Sequence, residues 1–254
     1  EDHELVFGVG FLFDVPMLAV ATANPDTNYA IVDGFIPDAP ANIVMLGFAE
    51  HEGSYLVGVA AALKSTNGHV GFIGGVQIPL IEKFQAGFEA GVASVDSNIV
   101  VDVQYITLPP DFAGFNDPAA GKVVAQSMYE GGADVVYHAA GGSGGGLFQA
   151  AKEYSEANDT HVWAIGVDSD QYLTAGDLAG YILTSMLKRV DVAVFDTIAS
   201  QIAGEFVGGF SSFDVANGGI DYSTSGGFVD DISDELEAAK AGIIDGSIVV
   251  PEAP

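Results

Sequence analysis

Short apolar runs alternate along this chain with longer amphipathic ones. Residues 5–10 (Leu-Val-Phe-Gly-Val-Gly) are apolar on both faces and predict a buried strand. Asp14 followed by Pro16 reads as an N-cap and an early helical proline. Further strands are predicted over 29–33 and 42–48, and a helix over 52–63, where Gly53 and Gly58 imply close packing. A second group starts with a strand over 70–75 and a helix over 80–93 opened by Pro79. A strand over 99–108, a helix from Pro118 to 129 and a strand over 133–139 come next. The glycine run 141–146 leads into a helix over 147–155. Strands over 162–167 and 182–186, helices over about 190–206 and 233–244, and a strand-like 247–250 complete the pattern. Strands apolar on both faces and separated by helices predict an α/β fold, with parallel sheets covered on both sides. No repeat of fixed period is present.

Binding sites on such sheets lie at the carboxyl ends of the strands. That directs attention to 11–14, 33–35, 74–78, 108–117, 140–146 and 168–171, segments rich in aromatics, carboxylates and glycines and lacking histidine.

Composition narrows the function. With 254 residues, 49% hydrophobic and 17% charged, the chain suits one large or two modest packed domains, not a disordered segment. Seven Lys and Arg against 35 Asp and Glu give a formal net charge of -28. Such a chain has few cations to displace the counterions of nucleic acid, and an anionic membrane surface repels it. The acidity itself reads as solubility or adaptation to salt. Any cation in a cleft becomes conspicuous, and the single arginine, Arg189, stands beside Lys188. The absence of cysteine removes disulfides, thiol catalysis and Cys-type zinc sites. The longest apolar run, 5–13, is stopped by Asp14 and Pro16 and is too short to span a bilayer. No signal-peptide pattern opens the chain, and its abrupt entry into a strand at Leu5 is expected to reflect processing or cleavage.

The glycine run admits three readings. As a P-loop it lacks the Gly-Lys-Ser/Thr ending, and as a dinucleotide fingerprint it has Leu147 where the third glycine belongs. Gly141-Gly142-Ser143-Gly144-Gly145 does match the G-x-S-x-G nucleophile elbow. The only later histidine, His161, begins the next strand at the opposite edge of the sheet, so a triad does not close. What remains is a turn that offers backbone N–H groups to a ligand, or a turn with no ligand. Val167-Asp168-Ser169-Asp170-Gln171 sets carboxylates at a strand end. EF-hand spacing is missing, which leaves acceptors for sugar hydroxyls, or an Asp168 that merely caps its turn. Phe115, in Phe115-Asn116-Asp117-Pro118, is either a ring that stacks on a flat ligand or a hydrophobic staple for the following helix. His3, His51, His69, His138 and His161 share no ligand spacing and are expected at the surface or internally satisfied. The Asn158-Asp159-Thr160 sequon is read as accidental.

Taken in order, several segments resemble one family. They are Val6-Phe7-Gly8-Val9-Gly10-Phe11, Glu50-His51-Glu52-Gly53-Ser54-Tyr55-Leu56, and Val70-Gly71-Phe72-Ile73-Gly74-Gly75 with Pro79-Leu80-Ile81, Phe84 and Gly87-Phe88. Ala139-Ala140-Gly141-Gly142-Ser143-Gly144, Gly166-Val167-Asp168-Ser169-Asp170-Gln171 and Leu183-Thr184-Ser185-Met186-Leu187-Lys188-Arg189-Val190-Asp191 complete the series. Nearly end to end, the chain resembles the basic membrane protein family of bacterial ABC-importer substrate-binding lipoproteins, whose best known members are purine nucleoside receptors.

The resemblance implies a type I periplasmic-binding-protein fold: two Rossmann-like lobes with parallel sheets, joined by a hinge, with ligand held between them. Lobe I is expected over 1–66 and 187–226 and lobe II over 67–186, with 227–254 returning across the hinge. It also implies a non-enzymatic, extracytoplasmic receptor, monomeric, that passes a nucleoside to ABC permease subunits and carries no cofactor or metal. Asp168 or Asp170, with Lys188, is implied to hold the ribose hydroxyls. Phe115 is implied to stack on the base, Asp33 to bond the base edge, and Gly142 to lie against the ligand. A serine hydrolase using Ser143, a regulatory ligand sensor, and a receptor for a sugar or another flat ligand such as a riboflavin-like compound are the alternatives. In one respect the chain departs from the family, which begins earlier, with a strand, an Asp-containing loop and a Ser-Phe-Asn segment. Those contacts and the lipid-bearing cysteine, the expected membrane anchor of the full-length protein, are not in this sequence.

Overall fold

The computed structural model describes residues 3–254. The chain runs β1 (Leu5–Val9), α1 (Asp14–Ala23), β2 (Asn28–Val32), β3 (Ile43–Phe48), α2 (Glu50–Lys64), β4 (His69–Val76), α3 (Pro79–Val95) and β5 (Val100–Thr107). It continues through α4 (Pro118–Glu130), β6 (Val135–Ala139), α5 (Gly144–Asn158), β7 (Trp163–Asp168), β8 (Ile182–Lys188) and α6 (Val190–Ala203). β9 (Gly209–Phe213), β10 (Ile220–Tyr222) and α7 (Ser233–Ile244) close it, with short 3-10 turns between.

Internal contacts divide the chain into two units. The first comprises the described residues up to Ala49 together with Arg189–Ile220. Its sheet has the order β1-β2-β3-β9, and every pair is parallel. Ile31, Ile43, Met17 and Ala21 are buried between sheet and helix, as expected for central strands that are apolar on both faces.

The second unit comprises Glu50–Lys188 and Asp221–Pro254. Its sheet has the order β10-β8-β7-β6-β4-β5, and the pairs from β8 through β5 are all parallel. Phe72, Val135, Val136, Tyr137, Ile165 and Leu183 fill its core. The internal boundary falls at 49/50, not at the 66/67 division read from the sequence, because α2 is fastened to α3. Gly87 and Gly91 of α3 bring the two backbones together: a Cβ at either would strike the His51 or Tyr55 carbonyl.

Three local expectations are corrected. Asp14 is already inside α1 and makes no side-chain cap; its carboxylate accepts the Phe35 N–H at 3.4 Å. α5 begins at Gly144, so half the glycine run is helical, following a 3-10 turn at Gly141–Ser143. Residues 247–250 form no strand; the Ile248 N–H bonds the Gly242 carbonyl and closes the end of α7. No described helix is long and apolar enough to cross a membrane.

Candidate functional site

In a parallel sheet all carboxyl ends share one edge, and in the second unit that edge collects five of the six predicted residues. Phe115 follows β5, Gly142 follows β6, Asp168 ends β7 with Asp170 just beyond, and Lys188 ends β8. The register sets Asp168 opposite Leu187, next to Lys188. Asp33 is placed in the first unit, after β2, in the left-handed region at φ 63°, with its N–H on the Leu46 carbonyl at 3.0 Å.

Phe115 ends a 3-10 turn and is half-buried. Its ring lies where a side chain at Gly75 would project, so the glycine at the end of β4 makes the seat for it. Ser143 secures the loop on both sides of the ring. Its hydroxyl donates to the Gly114 carbonyl at 2.7 Å and accepts the Asp117 N–H at 2.8 Å, and the residue is 1% exposed. Asp117 in turn caps α4, accepting the Ala120 N–H at 2.9 Å. The staple reading of Phe115 fails for a simple reason: the fourth residue of α4 is Gly121, which has no side chain to receive it. Gly142 is exposed and faces the Phe115 carbonyl and the Asn116 side chain.

The nucleophile reading of Ser143 fails on the same geometry, since its hydroxyl is buried and committed in both directions. His161, the histidine a triad would need, is stacked on Tyr181 and edge-on to Trp163.

Asp168 is exposed and takes the left-handed conformation at φ 65°. This is uncommon for a non-glycine residue and least so for Asp or Asn. Asp170 accepts the Ser225 hydroxyl through Oδ2, while its buried Oδ1 has no hydrogen-bond partner. A residue the sequence reading passed over holds this turn. The Oε1 atom of Gln171 accepts the Val167 N–H at 2.8 Å and the His138 Nε2–H at 3.0 Å, and the Gln171 N–H bonds Ser185 Oγ at 3.2 Å. One residue thus ties β6, β7 and β8 together beneath the Asp168 loop, the first two through its side chain and the third through its backbone N–H. His138 is fully buried, and burial pushes its imidazole down to about 4. Its Nδ1 accepts the Ala140 N–H at 3.4 Å, so the neutral ring with the proton on Nε2 satisfies both contacts. His138 is therefore an internally satisfied histidine, as expected of it, within β6 and just before the loop.

Lys188 also has a partner that sequence reasoning missed. Its Nζ lies 3.1 Å from Oε1 of Glu50, the first residue of α2, and the two side chains are 4% and 1% exposed. Lys83 Nζ lies 4.0 Å from Glu50 Oε2 and 3.6 Å from Glu252. Arg189 is not a second site cation: Asp191 binds its guanidinium through two contacts of 2.9 Å, and Asp191 is held below the usual carboxylate range chiefly by that contact. Among the described residues no group of three His, Asp or Glu side chains could hold a metal ion.

The edge therefore offers a seated aromatic ring, carboxylates, and an ammonium fixed by a buried acid. It suits stacking and hydroxyl recognition. Comparison with known proteins gives the family. The profile of the Bmp family, described as ABC transporter substrate-binding protein PnrA-like, matches residues 1–253. A "CD4+ T-cell-stimulating antigen" of Listeria monocytogenes is 40% identical over 266 residues, spanning 100% of this chain and 71% of that protein. The "ABC transporter nucleoside-binding protein BmpA" of Lactococcus lactis is 39% identical over 260 residues, 99% of this chain and 72% of its own length. Among solved structures, ABC transporter solute-binding proteins from Aeropyrum pernix superpose with a TM-score of 0.82 at 28% identity, covering 98% of this chain and 77% of that one.

Proposed function

This chain belongs to the PnrA-like family of ABC transporter substrate-binding proteins, a family of solute receptors and not of enzymes, and from that premise we propose that its solute is a purine nucleoside. One observation carries the reading: a half-buried phenyl ring, an exposed strand-end carboxylate and a lysine ammonium lie along one sheet edge of the second unit. A nucleoside presents a flat base for the ring and hydroxyls for the charged groups. In this reading Phe115 stacks on the base, a contact worth about 1–3 kcal/mol. Asp168 accepts the ribose hydroxyls, Lys188 donates to them, and the exposed backbone at Gly142 lies against the ligand. Asp170, already bonded to Ser225, acts as the wall of that loop. The nucleoside-binding relative, similar over almost the whole chain, supports the same choice of ligand.

The receptor would work outside the cytoplasm and deliver the nucleoside to the permease subunits of an ABC importer. A thermal-shift panel tests the ligand class. Adenosine, guanosine and inosine should raise the unfolding temperature in proportion to the logarithm of their concentration, because they bind the folded state alone. A rise with a riboflavin-like compound or a hexose and none with the nucleosides would overturn the reading.

A further inference from the structure

The strongest unexplained feature is the carboxylate beneath Lys188. Glu50 opens α2, where a helix N-terminus favours a negative charge. It is 1% exposed, and a carboxylate that deep is stable only with compensating charge and hydrogen bonds. Lys188 supplies the compensation at 3.1 Å, and Lys83 stands 4.0 Å from the other oxygen while also facing Glu252 at 3.6 Å. The titratable groups near the pair include His51 on α2 and Tyr137 on β6. Burial and the nearby carboxylates Asp168 and Glu50 keep the Tyr137 phenol neutral, while burial and Lys83 lower His51, a shift that Glu252 opposes. Within this group the two lysines offset the two glutamates.

We propose that Glu50 is the selectivity residue of the site: it positions the Lys188 ammonium and cancels its charge, so that the receptor takes an uncharged nucleoside and discriminates against its 5′-monophosphate. This rests on the nucleoside reading above. An unpaired lysine at a strand end would attract phosphate strongly. A lysine paired with a buried acid can still donate to a hydroxyl but offers an anion less net charge, and the Asp168 carboxylate on the same edge adds repulsion. Glu50 does not touch the ligand in this scheme; it acts through Lys188.

The test is calorimetric titration of guanosine and of GMP into the parent protein, Glu50→Gln, Lys188→Met and the double variant. The parent should favour guanosine at least ~10-fold, and Glu50→Gln should reduce that preference to ~3-fold or less by exposing the lysine charge. In the Lys188→Met background the same Glu50→Gln change should leave the ratio unaltered, a coupling that a merely structural role would not produce. Should Glu50→Gln fail to fold, Glu50→Asp keeps the charge and must keep the preference while lowering guanosine affinity. A parent that binds guanosine, with an unchanged ratio in Glu50→Gln or a lost ratio in Glu50→Asp, overturns the role of Glu50 alone. A parent that binds no nucleoside overturns this inference and the ligand reading together.

Discussion

Replacing Ser143 by alanine is the sharpest single perturbation of the site's scaffold. Alanine keeps the Cβ and removes a hydroxyl that donates to the Gly114 carbonyl at 2.7 Å and accepts the Asp117 N–H at 2.8 Å. Gly114 is buried, so its carbonyl loses its donor without gaining water, whereas Asp117 is exposed and its N–H can be rehydrated. An orphaned buried acceptor costs about 1–3 kcal/mol and a replaceable hydrogen bond about 1 kcal/mol, so a loss of about 2–4 kcal/mol is expected. At roughly 2–4 °C per kcal/mol for a chain of this size, the unfolding temperature should drop by roughly 4–16 °C. Nucleoside affinity should fall as well, because the two lost contacts bracket Phe115. Differential scanning calorimetry and ligand titration read the two effects on one sample. Unchanged stability and unchanged affinity would refute the account of the Phe115 loop. A nucleoside-hydrolysing activity present in the parent and abolished by Ser143→Ala would restore the serine-hydrolase reading.

Three further outcomes follow from the same contacts. Phe115→Ala should weaken nucleoside binding by about 1–3 kcal/mol, seen by calorimetry, while Phe115→Trp retains it; normal affinity with a lowered melting point would make the ring a packing residue only. Asp168→Ala should cost about 1.5–3 kcal/mol for each charge-assisted hydroxyl bond lost, and 2′-deoxy and 3′-deoxy nucleosides should lose less affinity in the variant than in the parent. An unaffected titration would move that role to Asp170. For His138, the folded imidazole titrates at about 4 and the unfolded one near 6.5, so between those values the unfolded chain binds the extra proton. Stability should therefore rise with pH across that window and be lost as pH falls through it, by up to about 3 kcal/mol from this residue. His51 and His161, both lowered by burial, act in the same direction. Urea unfolding at pH 4.5 and 7 would contradict this if the two midpoints matched.

Much of the fold is legible from residue pattern because parallel strands buried on both faces leave long apolar runs. β4, β6, β7 and β8 sit where such runs stand, and α7 spans Ser233–Ile244 as its periodicity predicts. β9 was invisible for the converse reason: Phe210, Ser211 and Ser212 are exposed in an edge strand, and no apolar run marks it. The attachment of α2 to the second unit depends on glycines of α3 touching a distant backbone, which no local pattern encodes. At the site, strand-end logic points to Phe115, Gly142, Asp168 and Asp170, whereas Lys188 enters only through the family resemblance. Strand-end logic cannot locate Glu50, because one buried carboxylate looks like any other in a chain with 35 acids. Gln171 was hidden differently. Its neighbours Asp168 and Asp170 drew the chemical argument, although an amide four residues after a strand N–H is well spaced to fold back and accept from it.

The proposed function stands or falls on a nucleoside being the ligand of this family member. Titrating adenosine, guanosine and inosine into the purified chain by isothermal calorimetry, with chromatography of the ligand afterwards, tests it most directly. Saturable one-to-one binding of at least one of the three is expected, with the nucleoside recovered intact. Absence of binding to all three, or recovery of free base and ribose in place of the nucleoside, would contradict it.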